Sequence, residues 1–169
     1  MNIIVLVIIL WITAMGLLYA VGARINTSNS IPEGLYWTSH ALIKKGDYVI
    51  FCPPKEKIFD EAMRRGYIDV GFCPGGYGYM MKAVLAVNGD IISINNNGVE
   101  VNGHILPYSK PIAADSLDRP LPHLNITKHL SNTELLLMTD QSPISFDARY
   151  FGPISRSQIK SVIKPIFTW

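Results

Sequence analysis

Two short segments of the sequence contain the residues whose types and spacing could support nucleophilic catalysis. The first, residues 26–36, contains Ser28 and Ser30, and Pro32 and Gly34 fix the turn that follows them. A serine hydroxyl becomes a useful nucleophile only when a base removes its proton. The same composition is also typical of a polar loop that leaves a hydrophobic segment. The pattern alone therefore leaves both interpretations open.

The second segment places a single lysine, Lys82, inside an apolar run that predicts a buried strand. Burial of an ammonium ion is costly and lowers the pKa of the amine. A lysine whose pKa falls to about 7 or 8 can act as a general base near neutral pH. The alternative is that Lys82 lies at a sheet edge and extends its ammonium group into water.

Other familiar catalytic and metal-binding patterns are absent from the sequence. It contains no Gly-x-Ser-x-Gly elbow, no phosphate-binding loop and no cluster with metal-ligand spacing. A Ser-His-Asp triad stays open as an alternative, but nothing identifies its members. Because the sequence has neither metal-ligand spacing nor a phosphate-binding loop, we expect neither a metal nor a cofactor. The four histidines are scattered through turns and loops, at His40, His104, His123 and His129.

The two cysteines, Cys52 and Cys73, lie in matching contexts, because each follows a Phe and precedes a Pro. A disulfide between them would contribute roughly 3 kcal/mol to stability and would place the domain in an oxidising compartment. Two buried free thiols are the alternative. A metal site is disfavoured because two thiols without a nearby His supply only half of a zinc coordination shell.

A hydrophobic segment at the start of the chain would hold these residues near a membrane. The run from Ile3 to Ala23 carries no charge and would span about 31 Å as a helix, close to the hydrocarbon thickness of a bilayer. We predict a transmembrane anchor over residues 1–23. A cleaved secretion signal and a buried soluble helix are alternatives. The positive charges that follow weakly favour a cytoplasmic domain, whereas the cysteines favour the opposite side.

The remaining residues, 24–169, predict one mostly antiparallel β domain with one short helix. The helix is expected over residues 55–66, and residues 107–130 are expected to be mostly loop. The net charge of +2 includes no block of like charges, so nothing indicates nucleic-acid binding. Strands are expected at residues 35–37, 48–51, 79–87, 90–94, 99–101, 104–106 and 135–139.

Three segments, in this order, resemble the signal peptidase I family of membrane-anchored Ser/Lys peptidases, and most of all its TraF-type members from conjugative transfer. The lysine segment, residues 82–90, ends in the Gly-Asp that trails the family's lysine box. Residues 145–152 resemble the box that closes the catalytic core. The serine segment reads Asn26-x-Ser28-x-Ser30-x-Pro32-x-Gly34-Leu35-Tyr36.

The resemblance implies a role for each matching residue at the reaction centre. Ser30 would be the nucleophile and Lys82 the general base. The Ser28 hydroxyl and the Ser30 backbone N–H would stabilise the oxyanion, and Ser145 would orient the Lys82 amine. The family fold, a signal-peptidase-like β catalytic domain behind a single N-terminal transmembrane helix, agrees with the predicted strands.

The sequence also departs from the family pattern, both in the serine segment and in and before the third segment. Asp147 and Arg149 match residues that would brace one wall of the site. Ile31 replaces a common Met, and Ala148 replaces a Ser. Residues 139–142 read Thr-Asp-Gln-Ser in place of a Gly-Asp-Asn-Arg-like sequence, so no roles are assigned within that loop.

The resemblance further implies a serine endopeptidase that processes exported precursors, with pilin-type subunits of conjugative transfer as substrates. Its domain would face the periplasm from the inner membrane. Its partners would be a peptide substrate and the membrane, without nucleic acid. One alternative is head-to-tail cyclisation of a pilin peptide by the same Ser/Lys pair. Another is a non-catalytic assembly factor of a pilus or secretion apparatus.

Overall fold

The structure is a computed structural model that describes residues 2–169. It begins with helix α1 (Ile3–Ala20), which has a mean hydropathy of 2.7 and no buried residue along its length. Among residues 2–169, α1 is the one helix long and apolar enough to cross a membrane. Because its side chains do not pack into the domain core, α1 is a candidate membrane span, as the sequence predicts.

Two antiparallel sheets follow α1. One has seven strands in the order β1-β2-β11-β3-β4-β9-β10, and the other has four in the order β7-β6-β5-β8. Two further helices are α2 (Lys57–Arg64) and α3 (Ala148–Phe151). The strands are β1 (Ala23–Asn26), β2 (Gly34–Ser39), β3 (Tyr48–Phe51), β4 (Met80–Ala86), β5 (Ile91–Asn95), β6 (Gly98–Val101), β7 (His104–Ile105), β8 (Ile126–His129), β9 (Glu134–Met138), β10 (Ile154–Ser155) and β11 (Ile159–Thr168).

Strand β4 lies inside the larger sheet, between β3 and β9. Its two faces contact different apolar clusters, Met80 packing with the cluster around Phe51 and Met81 with the cluster around Ile31. A strand covered on both faces reads as a continuous apolar run, which is the pattern that surrounds Lys82. Since alternate side chains share a face, Lys82 points to the same side as Met80.

Strand β11 joins the two halves of the larger sheet, because it pairs with β2 on one side and with β3 on the other. It passes closely over Gly34 at the start of β2. A Cβ on Gly34 would lie 2.2 Å from the Phe167 carbonyl oxygen, and its φ of +156° also disfavours a side chain. Gly34 of the serine segment is therefore required by sheet packing.

The disulfide predicted between Cys52 and Cys73 is confirmed, with the two Cα atoms 5.4 Å apart. Both cysteines are buried in the cluster that contains Phe59 of α2. The bond joins the residue after β3 to a loop just before β4 and encloses α2. It therefore restrains the segment between β3 and β4, the strand that carries Lys82.

The outer face of β1, β2 and β11 carries a row of apolar side chains. Ile25, Leu35 and Phe167 lie opposite one another in the register, and Trp37 lies two residues after Leu35 on the same face. Ile25 and Phe167 expose more than half of their surface. The row is an exposed apolar patch next to the end of α1.

The predicted fold class, a mostly antiparallel β domain behind an apolar helix, is confirmed. The segment predicted to be mostly loop, residues 107–130, contains one strand, β8. Besides β8, four elements were not predicted: the edge strand β1, the single turn α3, the two-residue strand β10 and the long strand β11. In β11, Pro165 and two register shifts interrupt the alternation on which strand prediction depends.

Candidate active site

Three polar side chains from distant parts of the chain meet beside β4. Ser30 comes from the connection between β1 and β2, Lys82 from β4, and Ser145 from the loop after β9. The Lys82 Nζ donates hydrogen bonds to Ser30 Oγ and to Ser145 Oγ, each at 2.6 Å. The two serine oxygens are 3.1 Å apart. The arrangement brings a hydroxyl, an amine and a second hydroxyl into mutual contact.

Burial controls the charge of Lys82, whose side chain exposes 2% of its surface. Loss of hydration lowers its pKa to about 8, opposed by the Asp147 carboxylate and assisted by the Arg149 guanidinium. About one molecule in ten then has a neutral amine at pH 7. A neutral amine at this distance from a hydroxyl can accept its proton, so the pair is suited to general-base activation of Ser30.

Asp147 and Arg149 form a buried ion pair behind Ser145. Two parallel hydrogen bonds join them, from Nε at 2.8 Å and from Nη2 at 2.9 Å. Neither side chain is exposed. The guanidinium also donates to the carbonyls of Ser142 and Pro143, and the Asp147 carboxylate accepts from the backbone N–H of Thr139. The pair therefore fixes both ends of the loop that carries Ser145.

A residue that the sequence left without a role, Asn26, shapes the connection between β1 and β2, residues 27–33, which carries the expected nucleophile Ser30 and is called the nucleophile loop below. Its buried side chain donates to the carbonyl oxygens of Ser28, Ile31 and Pro32 at 2.8 to 3.1 Å. Its Oδ1 accepts from the Ser28 backbone N–H. The signal was present in the sequence, because an Asn two residues before a turn often bonds the backbone ahead of it. Asn26 thus holds the loop on both sides of Ser30.

Ser28 lies in the same loop, beside the cleft described below, but its hydroxyl donates to Asn26 Oδ1 at 2.9 Å. The oxyanion role expected of Ser28 requires this hydroxyl to rotate away from Asn26 when charge develops on the substrate. The role stays a prediction.

The loop that departs from the family pattern makes its own contacts. The Gln141 side-chain amide donates to the Asn29 carbonyl at 3.4 Å, which joins this loop to the nucleophile loop. The Asp140 carboxylate accepts from the Tyr48 hydroxyl. Ala148 is fully buried in an apolar cluster with Leu136. A hydroxyl at position 148 would therefore lie among apolar side chains.

An open cleft of about 860 Å³ lies against Ser30, Lys82 and Ser145. Its walls come from the nucleophile loop, from residues 67–72 and from residues 112–121, and Tyr19 at the end of α1 also contacts it. The volume suits an extended segment of several residues. None of the four histidines, all of which the structure describes, lines this cleft. Within residues 2–169, no group of three or more His, Cys, Asp or Glu could hold a metal ion.

A family model and several known proteins match most of this chain. A sequence model for the family described as signal peptidase, peptidase S26, matches residues 1–169. A plasmid transfer protein TraF from Escherichia coli is 59% identical over 152 residues, which cover 89% of this chain and 85% of that protein. A second E. coli plasmid transfer protein TraF is 55% identical over 155 residues, with coverages of 91% and 88%.

More distant similarities extend to other organisms. A conjugal transfer protein TraF from Agrobacterium fabrum is 34% identical over 160 residues, covering 93% of this chain and 88% of that protein. Among solved structures, a signal peptidase I from Enterococcus faecalis V583 is 15% identical, with a TM-score of 0.43. That match covers 75% of this chain and all of the other chain.

Proposed function

The chain belongs to the signal peptidase family, peptidase S26, and on that premise we propose that it is a membrane-anchored serine endopeptidase. Ser30 is its nucleophile and Lys82 its general base. The observation that carries the proposal is the contact of 2.6 Å between the buried Lys82 Nζ and Ser30 Oγ at the wall of an open cleft. A lysine buried in a central strand with hydroxyls as its hydrogen-bond partners has a lowered pKa, and such perturbed groups cluster at functional sites.

The reaction begins when the neutral Lys82 amine accepts the Ser30 proton and Oγ attacks the carbonyl carbon of the scissile bond. The oxyanion receives hydrogen bonds from the Ser30 backbone N–H and from the rotated Ser28 hydroxyl. Each such donor contributes about 10²-fold to 10³-fold in rate. The Lys82 ammonium then protonates the leaving amine, and an acyl-enzyme remains on Ser30.

Ser145, Asp147 and Arg149 support the dyad without entering the reaction. The Ser145 hydroxyl holds the Lys82 amine on the side of Ser30, through contacts of 2.6 and 3.1 Å. The buried Asp147–Arg149 pair fixes the Ser145 loop. We assign these three residues positioning roles.

The substrates proposed are exported precursor proteins of conjugative transfer, with pilin-type subunits as the first candidates. Support comes from relatives named plasmid transfer and conjugal transfer proteins, which this chain matches over most of their length. Water as the acceptor of the acyl group gives a cut chain. The substrate's own amino terminus as the acceptor gives a ring, by the same steps up to the acyl-enzyme.

The proposed arrangement is an anchor over residues 1–23 in the inner membrane and a periplasmic peptidase domain over residues 24–169. The disulfide supports an oxidising compartment. The exposed apolar row at Ile25 and Phe167 supports a domain that lies against the bilayer. Arg24 links the domain to the end of α1, because its guanidinium donates to the Tyr19 carbonyl at 2.7 Å and lies over the Tyr19 ring.

The test is intact-mass analysis of a candidate pilin precursor in membranes containing the full chain or its variants. We expect the wild-type protein to convert the precursor, and Ser30→Ala and Lys82→Ala to lower the rate at least about 10³-fold. Ser116→Ala is the matched control, because Ser116 is an exposed serine on the same cleft. A cyclic product weighs one water less than the cut chain. Unchanged conversion by either dyad variant would contradict the proposal.

A further inference from the structure

The cleft extends beyond the dyad between two segments that belong to neither sheet. The first is a hairpin, residues 69–78, which precedes β4. The second, here called the strap, is residues 112–121, between β7 and β8. Both contribute to the walls of the cleft that contains Ser30. Any polypeptide bound across Ser30 therefore passes near these segments.

The hairpin presents two large apolar side chains at the cleft. Phe72 is fully exposed and Val70 exposes 82% of its surface. Ile144, which precedes Ser145, exposes 71% and lines the same cleft. None of these three side chains contributes to the buried core. Single exposed apolar residues are common, but three around one cleft mark a binding surface.

The hairpin that carries Phe72 is held rigidly. Cys73, the next residue, forms the disulfide with Cys52. Tyr77 is buried and its hydroxyl donates to Asp60 of α2. The backbone N–H of Gly71 donates to the Gly76 carbonyl at 2.9 Å. Phe72 is therefore presented on a fixed backbone, which lowers the entropy cost of binding.

The strap is joined to the base of the hairpin by side-chain contacts. The Asp115 carboxylate accepts from the Arg119 Nε at 2.7 Å and from the hydroxyl of Tyr67, which lies just before the hairpin. Arg65 donates to the Pro120 carbonyl at 2.8 Å. Because these contacts link the two segments, the walls of the cleft are formed before a substrate arrives.

We propose that Phe72, with Val70 and Ile144, is a specificity-determining surface that binds a bulky apolar side chain of the substrate polypeptide, flanking the scissile bond. The proposal rests on the proposed peptidase function. The substrate polypeptide is the expected occupant, because the dyad, this surface and Tyr19 at the end of α1 all line the same cleft. A precursor that leaves the membrane beside α1 would offer apolar residues to Phe72 as its scissile bond reaches Ser30.

The test uses the purified full chain in detergent micelles and quenched-fluorescent peptides with Ala-x-Ala before the cut, the small-residue pattern that the family resemblance implies. Phe replaces Ser at each flanking position in turn. We expect the wild-type protein to prefer Phe at one or two positions by about 10-fold in kcat/KM. Phe72→Ser should abolish this preference by raising KM with little change in kcat, and Phe72→Leu should retain most of it. The core is unaffected because Phe72 is fully exposed.

The matched control is Leu42→Ser, which removes an exposed apolar side chain outside the cleft and should leave the preference intact. A wild-type protein that cuts the peptides without preferring Phe anywhere, or a preference that survives in Phe72→Ser, would overturn the inference alone. Failure of the wild-type protein to cut any peptide, with rates equal to those of Ser30→Ala, would instead overturn the proposed function and the inference with it.

Discussion

At the scale of single residues, the proposed chemistry depends on the Lys82 amine, which loses its hydration while keeping two hydroxyl partners. With a pKa of about 8, Lys82 is mostly charged and inactive at low pH and becomes neutral as the pH rises. We therefore expect kcat/KM to rise through an acidic limb near pH 8. The Ser145 hydroxyl accepts a hydrogen bond from the charged amine, and this contact favours the charged form.

Replacement of Ser145 by Ala should therefore move the acidic limb to lower pH and lower the plateau, because the amine loses an acceptor and its fixed orientation. The measurement is kcat/KM between pH 6 and about pH 10 for the wild-type protein, Ser145→Ala and the cleft control Ser116→Ala. A limb at the same pH in Ser145→Ala would count against the role given to Ser145.

The proposed pairing of Ser30 with Lys82 was predicted from the family resemblance, because the residue types alone left both segments open, whereas for Asn26 only a local bond to the backbone ahead could be predicted. Ser30 and Lys82 stand out by chemistry, one in a Pro/Gly-bounded turn and the other as the single charge in an apolar run. Asn26 is an ordinary polar residue until β1 pairs with β2 and buries its side chain. Its contacts are a product of that pairing.

At the scale of elements, the nucleophile loop depends on the direction of the hydrogen bonds around Asn26. Asn26→Asp would replace the donating Nδ2 with an oxygen facing the carbonyls of Ser28, Ile31 and Pro32. We expect kcat to fall about 10²-fold with a smaller effect on KM, because the loop shifts Ser30 relative to the base. Asn29→Asp, an exposed change in the same loop, should be close to wild type.

Steady-state kinetics with one peptide substrate would measure both variants, and circular dichroism would show whether each is folded. Equal kcat values for Asn26→Asp and the wild-type protein would show that the loop keeps its shape without these donors.

The elements that could be predicted are those whose pattern is local. Residues 48–51 were predicted as a strand from four consecutive apolar or aromatic residues, and β3 has those bounds. Asn97-Gly98 and Asn102-Gly103 are strong turn signals between the strands predicted at residues 90–94, 99–101 and 104–106, and β5, β6 and β7 pair there. Strand β11 was missed because its interrupted pattern becomes a strand only between β2 and β3, which lie more than a hundred residues earlier.

At the scale of the whole molecule, the buried lysine links stability to pH. The pKa of Lys82 is lowered from 10.5 to about 8 by folding. Between these values the unfolded chain binds more protons, so the free energy of unfolding rises with pH. Below pH 8 the full cost of the buried charge is present. The gain across the window is about 3 kcal/mol.

Lys82→Met removes this dependence while keeping the length of the side chain. We expect the stability of the wild-type protein relative to Lys82→Met to increase by a few kcal/mol between about pH 8 and 10, because all other titrating groups are common to both. Denaturant unfolding of both full chains in detergent, at a series of pH values, gives this difference. A difference that stays constant with pH would show that Lys82 is hydrated in the folded protein.

The position of β11 also determines when, during synthesis of the chain, the larger sheet can be completed. The nucleophile loop is attached to β2. Lys82, the proposed base, is on β4, and within the sheet only β3 and β11 connect β4 to β2. In chain order β11 is the last strand of the sheet. During translation, the two halves of the proposed dyad therefore have no common sheet until this strand has emerged. If the proposed dyad is catalytic, a nascent chain would therefore lack peptidase activity until β11, which ends at Thr168, had been synthesised.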